Sequence, residues 1–232
     1  MNFLFLLKKI VGSKNKLKRF KENETFLNVI QPERDEILDG SFNLKGNWKK
    51  LFFKNDKPIV LELGCGKGEY SVHLAQQNSE INHVGVDIKG ARFWRGAKKA
   101  IEESINNVAF LRTQIELIDL CFASEEVDEI WITFPDPQIK YKRSKHRLTN
   151  PEFLALYKKI LKPNGVIHLK TDSEFLFGYT LGIVSYIGNI IYAHHNIYNN
   201  SDAPKIATAV QTFYEKQFLT QNKSITYIKF NL

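Results

Sequence analysis

Cysteine is scarce in this chain. Only Cys65 and Cys121 occur in 232 residues. There is no CxxC pair, so neither a zinc site nor a disulfide framework can be read from the spacing. Long apolar runs are missing as well. No stretch approaches the roughly 18 apolar residues that a membrane-crossing helix needs. The opening, MNFLFLLKKIVG, has an apolar run too short for a signal sequence, and its lysines follow that run instead of preceding it. The expectation is a protein of the reducing cytoplasm, without metal and without membrane. Negative charge is also in deficit, with 25 Asp and Glu against 33 Lys and Arg and a net charge of +8. An excess of that sign points to a polyanion or an acidic surface as partner. Hydrophobic residues make up 43% and aromatic residues 12% of the chain, which excludes a disordered polymer.

Positive charge is uneven from the start. Residues 8–21, KKIVGSKNKLKRFK, hold seven basic and no acidic side chains. Such a block reads as an arm that touches nucleic acid or as a plainly solvated tail. Residues 1–54 are therefore taken as a basic arm and lead-in segment, and 55–232 as the main domain. From residue 58 the pattern becomes regular. PIVLEL, HVGVD, NVAFLR, VDEIWITF and VIHLKTD read as strands. KGEYSVHLAQQN, KGARFWRGAKKAIEES and NPEFLALYKKIL read as helices, the last with an Asn-Pro start signal. KPNG reads as a turn. A further helix follows residue 173, then strand-like NIIYAHHNIY, a polar linker over 199–204, TAVQTFYEKQF, and a last strand, SITYIKF. Strands alternating with helices imply an α/β fold, a mostly parallel sheet with helices on both faces.

Ligands of such sheets bind beyond the carboxyl ends of the strands. Here LELGCGKGEY occupies the first of those ends. Gly64, Gly66 and Gly68 permit a tight turn and a close ligand. Position 69 is Glu, so the dinucleotide pattern GxGxxG is not completed, and the phosphate loop GxxxxGK[ST] is absent. Glu62 lies in the strand, and Asp87 ends the second strand, where an acid accepts the hydroxyls of a ribose. This E-x-G-x-G-x-G form resembles motif I of the Rossmann-like class I methyltransferases. That resemblance implies a seven-stranded sheet and S-adenosyl-L-methionine as cofactor, released as S-adenosyl-L-homocysteine. Gln114, in LRTQIE after the third strand, would flank the adenine on the same template. Glycines that merely turn a corner are the structural alternative.

The fourth strand ends in FPDPQIKYKRSKHRL, residues 134–148. Prolines on both sides of Asp136 restrict its backbone and that of Phe134, so the carboxylate is aimed with little entropy left to lose. Five basic residues follow, interrupted by Tyr141 and His146, a composition that neutralises phosphates and stacks on bases. Amino-methylating enzymes of the DPPY type also place Asp-Pro here, but DPQI lacks their aromatic residue. The stretch resembles more closely the hallmark FPDPWxKxRHxKRRL of the bacterial tRNA (guanine-N7-)-methyltransferases. LELGCGKGEY, HLKTD and TFYEKQF extend that resemblance over roughly residues 55–230.

The resemblance implies methyl transfer to N7 of a guanine in tRNA, guanine 46 of the variable loop, by a monomer or homodimer. It implies a cofactor pocket of Glu62, Gly64, Gly66, Gly68, Asp87, Gln114 and Asp136, with Asp136 also at the catalytic centre. Lys140, Asp172, Thr212 and Glu215 would meet the substrate nucleotide, while Lys142, Arg143, Lys145, His146 and Arg147 would lie against tRNA. On the residues alone, Asp172 is equally a helix N-cap, and Thr212 with Glu215 a capping box. The sequence departs from the family at two points: Gln138 stands where the hallmark has Trp, and Gln114 where Asp is common. A methyltransferase for another RNA nitrogen, a non-catalytic RNA-binding protein of the same fold, and an oxidoreductase are the competing readings.

Overall fold

The computed structural model describes residues 15–232, so the apolar opening and positions 8–14 of the basic block lie outside the described residues. Residues 15–23 form helix α1. Strand β1 (Val29–Ile30), helix α2 (Arg34–Leu38) and a π-helical turn (Trp48–Phe53) lead into the alternating part. There β2 (Ile59–Leu63), α3 (Glu69–Gln77), β3 (Asn82–Val86), α4 (Gly90–Glu102), β4 (Val108–Leu111), α5 (Ile118–Cys121), β5 (Val127–Thr133), α6 (Pro151–Ile160), β6 (Leu161–Thr171) and α7 (Glu174–Ile187) follow in turn. The chain ends with β7 (Asn189–His194), α8 (Lys205–Thr208), α9 (Phe213–Thr220) and β8 (Thr226–Asn231).

The strands make one eight-stranded sheet in the order β1-β4-β3-β2-β5-β6-β8-β7. All pairings from β1 to β6 are parallel; β8 runs antiparallel between β6 and β7. The seven expected strands are present, with one more beside them. The extra one is β1, whose two residues pair with Phe110 and Leu111 and are too short to show a period. β6 also starts earlier than predicted. The KPNG turn lies inside it, arched through Asn164 at φ 63°, and the pairing with β5 shifts register between Val127 and Glu129.

Alternation of side chains gives the two faces different chemistry. Leu61, Leu63, Ile130, Ile132, Ile167, Leu169, Ile228 and Phe230 point into one large apolar core. Intervening residues on the other face include Glu62, Trp131, Thr133, His168, Lys170 and Tyr227, all buried. This second face is covered by α3, α8 and the segment before β8, through Tyr70, Leu74, Ala207, Val210 and Ile225. α6 starts where expected: Asn150 accepts a hydrogen bond from the Phe153 amide at 2.8 Å, and Pro151 fills the first helical position. The strand order reverses between β2 and β5, so the switch-point crevice opens beyond Leu63 and Thr133.

Candidate functional site

At the head of β2 the three glycines all take left-handed backbone, with φ of 75°, 56° and 71° at Gly64, Gly66 and Gly68. Gly68 is required twice over, because a Cβ there would sit 2.4 Å from the ring of Phe110. The corner they make is fastened by the acid of the next strand. Asp87 accepts the amide of Gly66 at 3.0 Å and that of Lys89 at 2.8 Å, one on each carboxylate oxygen. Glu62 lies beneath. Its carboxylate accepts the Ser71 amide at 2.9 Å, the Ser71 hydroxyl at 2.5 Å and the Thr133 hydroxyl at 2.6 Å. Burial, only partly offset by these hydrogen bonds, pushes the Glu62 carboxyl up to about 7.

A cavity of about 100 Å³ opens over this corner, walled by Glu62, Gly64–Lys67, Glu69, Tyr70, Arg92, Thr133, Phe134, Thr212 and Tyr214. It brings β2, β5 and the start of α9 to one point. Tyr214 belongs to the TFYEKQF stretch that carries the resemblance, whereas Arg92 and Thr133 escaped sequence reasoning, since no motif singles them out as ligand residues. Gln114 stands apart from the cavity, exposed after β4, its amide oxygen accepting a hydrogen bond from Arg34.

The proline-flanked loop departs from the sheet through strained backbone. Phe134 has φ 48°, although it precedes a proline, and Gln138 has φ 47°. Between them Asp136 is exposed, two residues along the chain from Phe134 of the cavity wall, and it accepts the Gln138 amide at 3.1 Å. Lys140 is exposed beside it, and Lys142, Arg143, Lys145 and His146 are exposed on a 3-10 turn, Tyr141–His146. Arg147, expected with them against RNA, is set apart from that exposed surface. It is 6% exposed. Its guanidinium donates to the carbonyls of Gln138 and Ile139 at 3.2 and 3.3 Å and stacks on Phe175 and Tyr179 at 4.8 and 4.5 Å. Arg147 is a clamp behind the acid's loop, and no alternation of charge in the sequence distinguishes it from its neighbours.

The expected nucleotide-binding residues separate in the same way. Asp172 is not the N-cap of α7; Ser173 is, accepting the Leu176 amide at 3.2 Å. The Asp172 carboxylate instead faces Lys223 at 3.3 Å. Thr212 and Glu215 do form a capping box at the start of α9. Glu215 has no exposure left to offer a nucleotide: it is fully buried, 2.6 Å from Lys170 Nζ and 2.7 Å from the Tyr198 hydroxyl. Glu215 thus stands behind the surface that Thr212 presents in the cavity wall. Among the described residues no cluster of His, Cys, Asp or Glu could hold a metal ion, and no helix is long and apolar enough to cross a membrane.

Comparison with known proteins places this geometry among relatives. A family model described as "Putative methyltransferase" matches residues 56–228. The tRNA (guanine-N(7)-)-methyltransferase of Christiangramia forsetii is 66% identical over 223 residues, spanning 96% of this chain and all of that protein. The protein of the same name from Bacteroides fragilis is 46% identical over 220 residues, 94% of this chain and 86% of its own. Among solved structures, the 16S rRNA methyltransferase KamB superposes with a TM-score of 0.60 at 14% identity, covering 79% of this chain and 91% of that one. The 16S rRNA (adenine(1408)-N(1))-methyltransferase of Catenulisporales acidiphilia gives 0.54 at 14% identity, covering 86% and 92%. At such identities the solved structures speak for the fold.

Proposed function

The chain belongs to the tRNA (guanine-N(7)-)-methyltransferase family, and from that premise we propose that it moves a methyl group from S-adenosyl-L-methionine to N7 of guanine 46 in the variable loop of tRNA. The observation that carries this reading is the cavity in which the glycine corner, the end of β5 and Thr212 share one wall. Its donor set suits the cofactor. Glycines without side chains leave room for close approach. Glu62 in the cavity wall and Asp87 behind the glycine corner would answer an ammonium and a ribose, and burial already raises the Glu62 carboxyl to about 7. When bound, the cofactor supplies an electrophilic methyl group on a sulfonium.

Guanine N7 carries an in-plane lone pair and needs no base to remove a proton first. The protein's task is alignment, which can lower such a barrier by several kcal/mol. Asp136 lies two residues beyond Phe134 of the cavity wall, on a loop braced by the Arg147 clamp, with left-handed backbone at 134 and 138. As positive charge passes onto the purine, a fixed carboxylate at that place stabilises it and orients the guanine's donor edge. Lys140 and the exposed basic residues of the following turn neutralise the flanking phosphates. A nucleotide within folded RNA must first be swung out to reach the cavity.

The test is transfer of labelled methyl from the cofactor to unmodified tRNA, followed by nucleoside analysis and mapping of the modified position. Label in 7-methylguanosine at position 46 supports the reading; label on another nitrogen, or none, refutes it. Asp136→Ala should retain cofactor affinity and lose at least 100-fold in turnover, a loss typical of removing one oriented electrostatic group. Full activity in that variant would remove Asp136 from the mechanism.

A further inference from the structure

A second and larger concavity, about 990 Å³, opens beside the cavity just described. α3 and α4 form one wall, and residues 208–216 form the other. Its rim carries Lys67, Arg95, Lys98, Lys99 and Lys216 against two carboxylates, Glu69 and Glu102. Glu69 is committed within the protein, accepting the Phe213 amide at 2.8 Å. Lys98 lies 3.7 Å from Glu102, and Lys99 3.8 Å from Glu103, all four side chains being largely exposed. Exposed pairs one helical turn apart are weak, so both lysines remain available to a stronger anion.

The floor is aromatic as well as basic. Trp94 of α4 lines the groove, with Lys98 over its ring at 5.3 Å and Arg19 of α1 at 4.9 Å. Its indole nitrogen donates to Glu22 of α1 at 2.6 Å, which fixes α1 beside the groove. Lys16, Lys18, Arg19 and Lys21 are all exposed on that helix. The positive strip therefore runs from α1 across α4 to Lys67. There it reaches the first cavity, because Lys67 and Glu69 line both spaces. At that junction Lys67 lies over the Phe213 ring, 3.6 Å to its centroid. The loop carrying Asp136 follows β5, whereas α4 joins β3 to β4. The two basic surfaces thus hang from opposite sides of the switch point.

We propose that this groove, continued by α1, seats a length of the substrate RNA's backbone away from the nucleotide being methylated. The proposal rests on RNA being the substrate and adds where else that RNA is held. A basic track that passes Trp94 and shares a wall with the first cavity matches the phosphates of one continuous strand. An acidic peptide would not need to be continuous with that cavity.

Binding of unmodified tRNA to the full chain, measured over a range of salt, tests it. In Lys98→Ala/Lys99→Ala, loss of two phosphate contacts should weaken binding roughly 10- to 30-fold at 0.15 M salt and flatten the salt slope by up to about 0.9 per contact. KM for tRNA should rise while kcat at saturating tRNA and cofactor affinity stay unchanged. Glu102→Gln should act in the opposite direction and tighten tRNA binding, so a general loss of folding cannot imitate both results. Normal tRNA affinity and salt slope in both variants, beside a wild type that binds tRNA, would overturn the groove alone. A wild type that binds no tRNA would overturn the RNA reading itself. Polyglutamate bound as tightly as tRNA, and lost in the same double variant, would overturn the proposal in favour of an acidic protein partner.

Discussion

Glu62 shows how one residue couples stability to ligand chemistry. It is 4% exposed and accepts three hydrogen bonds, yet burial holds its carboxyl at about 7 against an ordinary 4.5. The sign follows from linkage. An acid whose pKa is raised by folding contributes its full stability below about 4.5, where both states are protonated. That stability is lost as pH rises through 7, where the unfolded chain gains more by ionising. The difference amounts to about 3 kcal/mol at 1.36 kcal/mol per pKa unit. Glu62→Gln should therefore unfold at a higher temperature than the wild type at pH 8, by several degrees, and at a similar temperature at pH 4.5. A difference between the two proteins that did not change with pH would refute this account. The stabilised variant should also bind S-adenosylmethionine poorly. In the wild type, affinity should increase from pH 6 to pH 8, because a cation favours the ionised carboxylate.

Elements β6 and α9 meet through a charge pair with no exposure at either end, Lys170 and Glu215 at 2.6 Å. Lys170 also donates to the Val210 carbonyl at 3.0 Å, and burial lowers its pKa while Glu215 opposes that. Removing one partner leaves a buried, uncompensated charge, a loss of about 3–5 kcal/mol. Lys170→Met and Glu215→Leu should each reach that range by chemical denaturation. The double variant should lose much less than their sum, although it still forfeits the cap of α9. Additivity within about 0.5 kcal/mol would show the pair to be uncoupled. Because Glu215 and Thr212 form one capping box, Glu215→Leu should also displace Thr212 from the cavity and weaken turnover. Here lies the limit of what the sequence discloses. Periodicity and glycine placement disclosed the parallel strands, the Asn-Pro helix start and the corner at Gly64–Gly68, because each is a local rule written in neighbouring residues. Lys170 and Glu215 are 45 positions apart by their numbering, and only the return of β8 beside β6 brings α9 over Lys170. Arg147 hides for a related reason. Its neighbours carry the same charge, and its burial against Phe175 and Tyr179 depends on where α7 packs.

At the scale of the whole molecule, the lead-in is part of the fold's support. The composition shift near residue 55 suggested a boundary there, and the family model begins at residue 56. Packing crosses that point without a break. Trp48 is fully buried, stacks on Phe122 at 5.0 Å between ring centroids, and donates its indole N–H to the Cys121 carbonyl at 3.0 Å. Val29 and Ile30 extend the sheet beside β4, and Ile37 and Phe42 lie in the main apolar core. A chain starting at residue 55 keeps every motif but uncovers Phe122 and the α5 surface and frees the β4 edge. Loss of one buried Trp side chain alone costs about 3–5 kcal/mol, a large part of the 5–15 kcal/mol that holds a typical domain together. The shortened chain should therefore melt at least 10 °C below the full protein, or fail to unfold cooperatively, by calorimetry. Trp48→Phe in the full chain, which keeps most of the ring but not the hydrogen bond to Cys121, should lose only a few degrees. Equal melting of the shortened and full chains would establish residue 55 as a true domain boundary and reduce the lead-in to a carrier for α1.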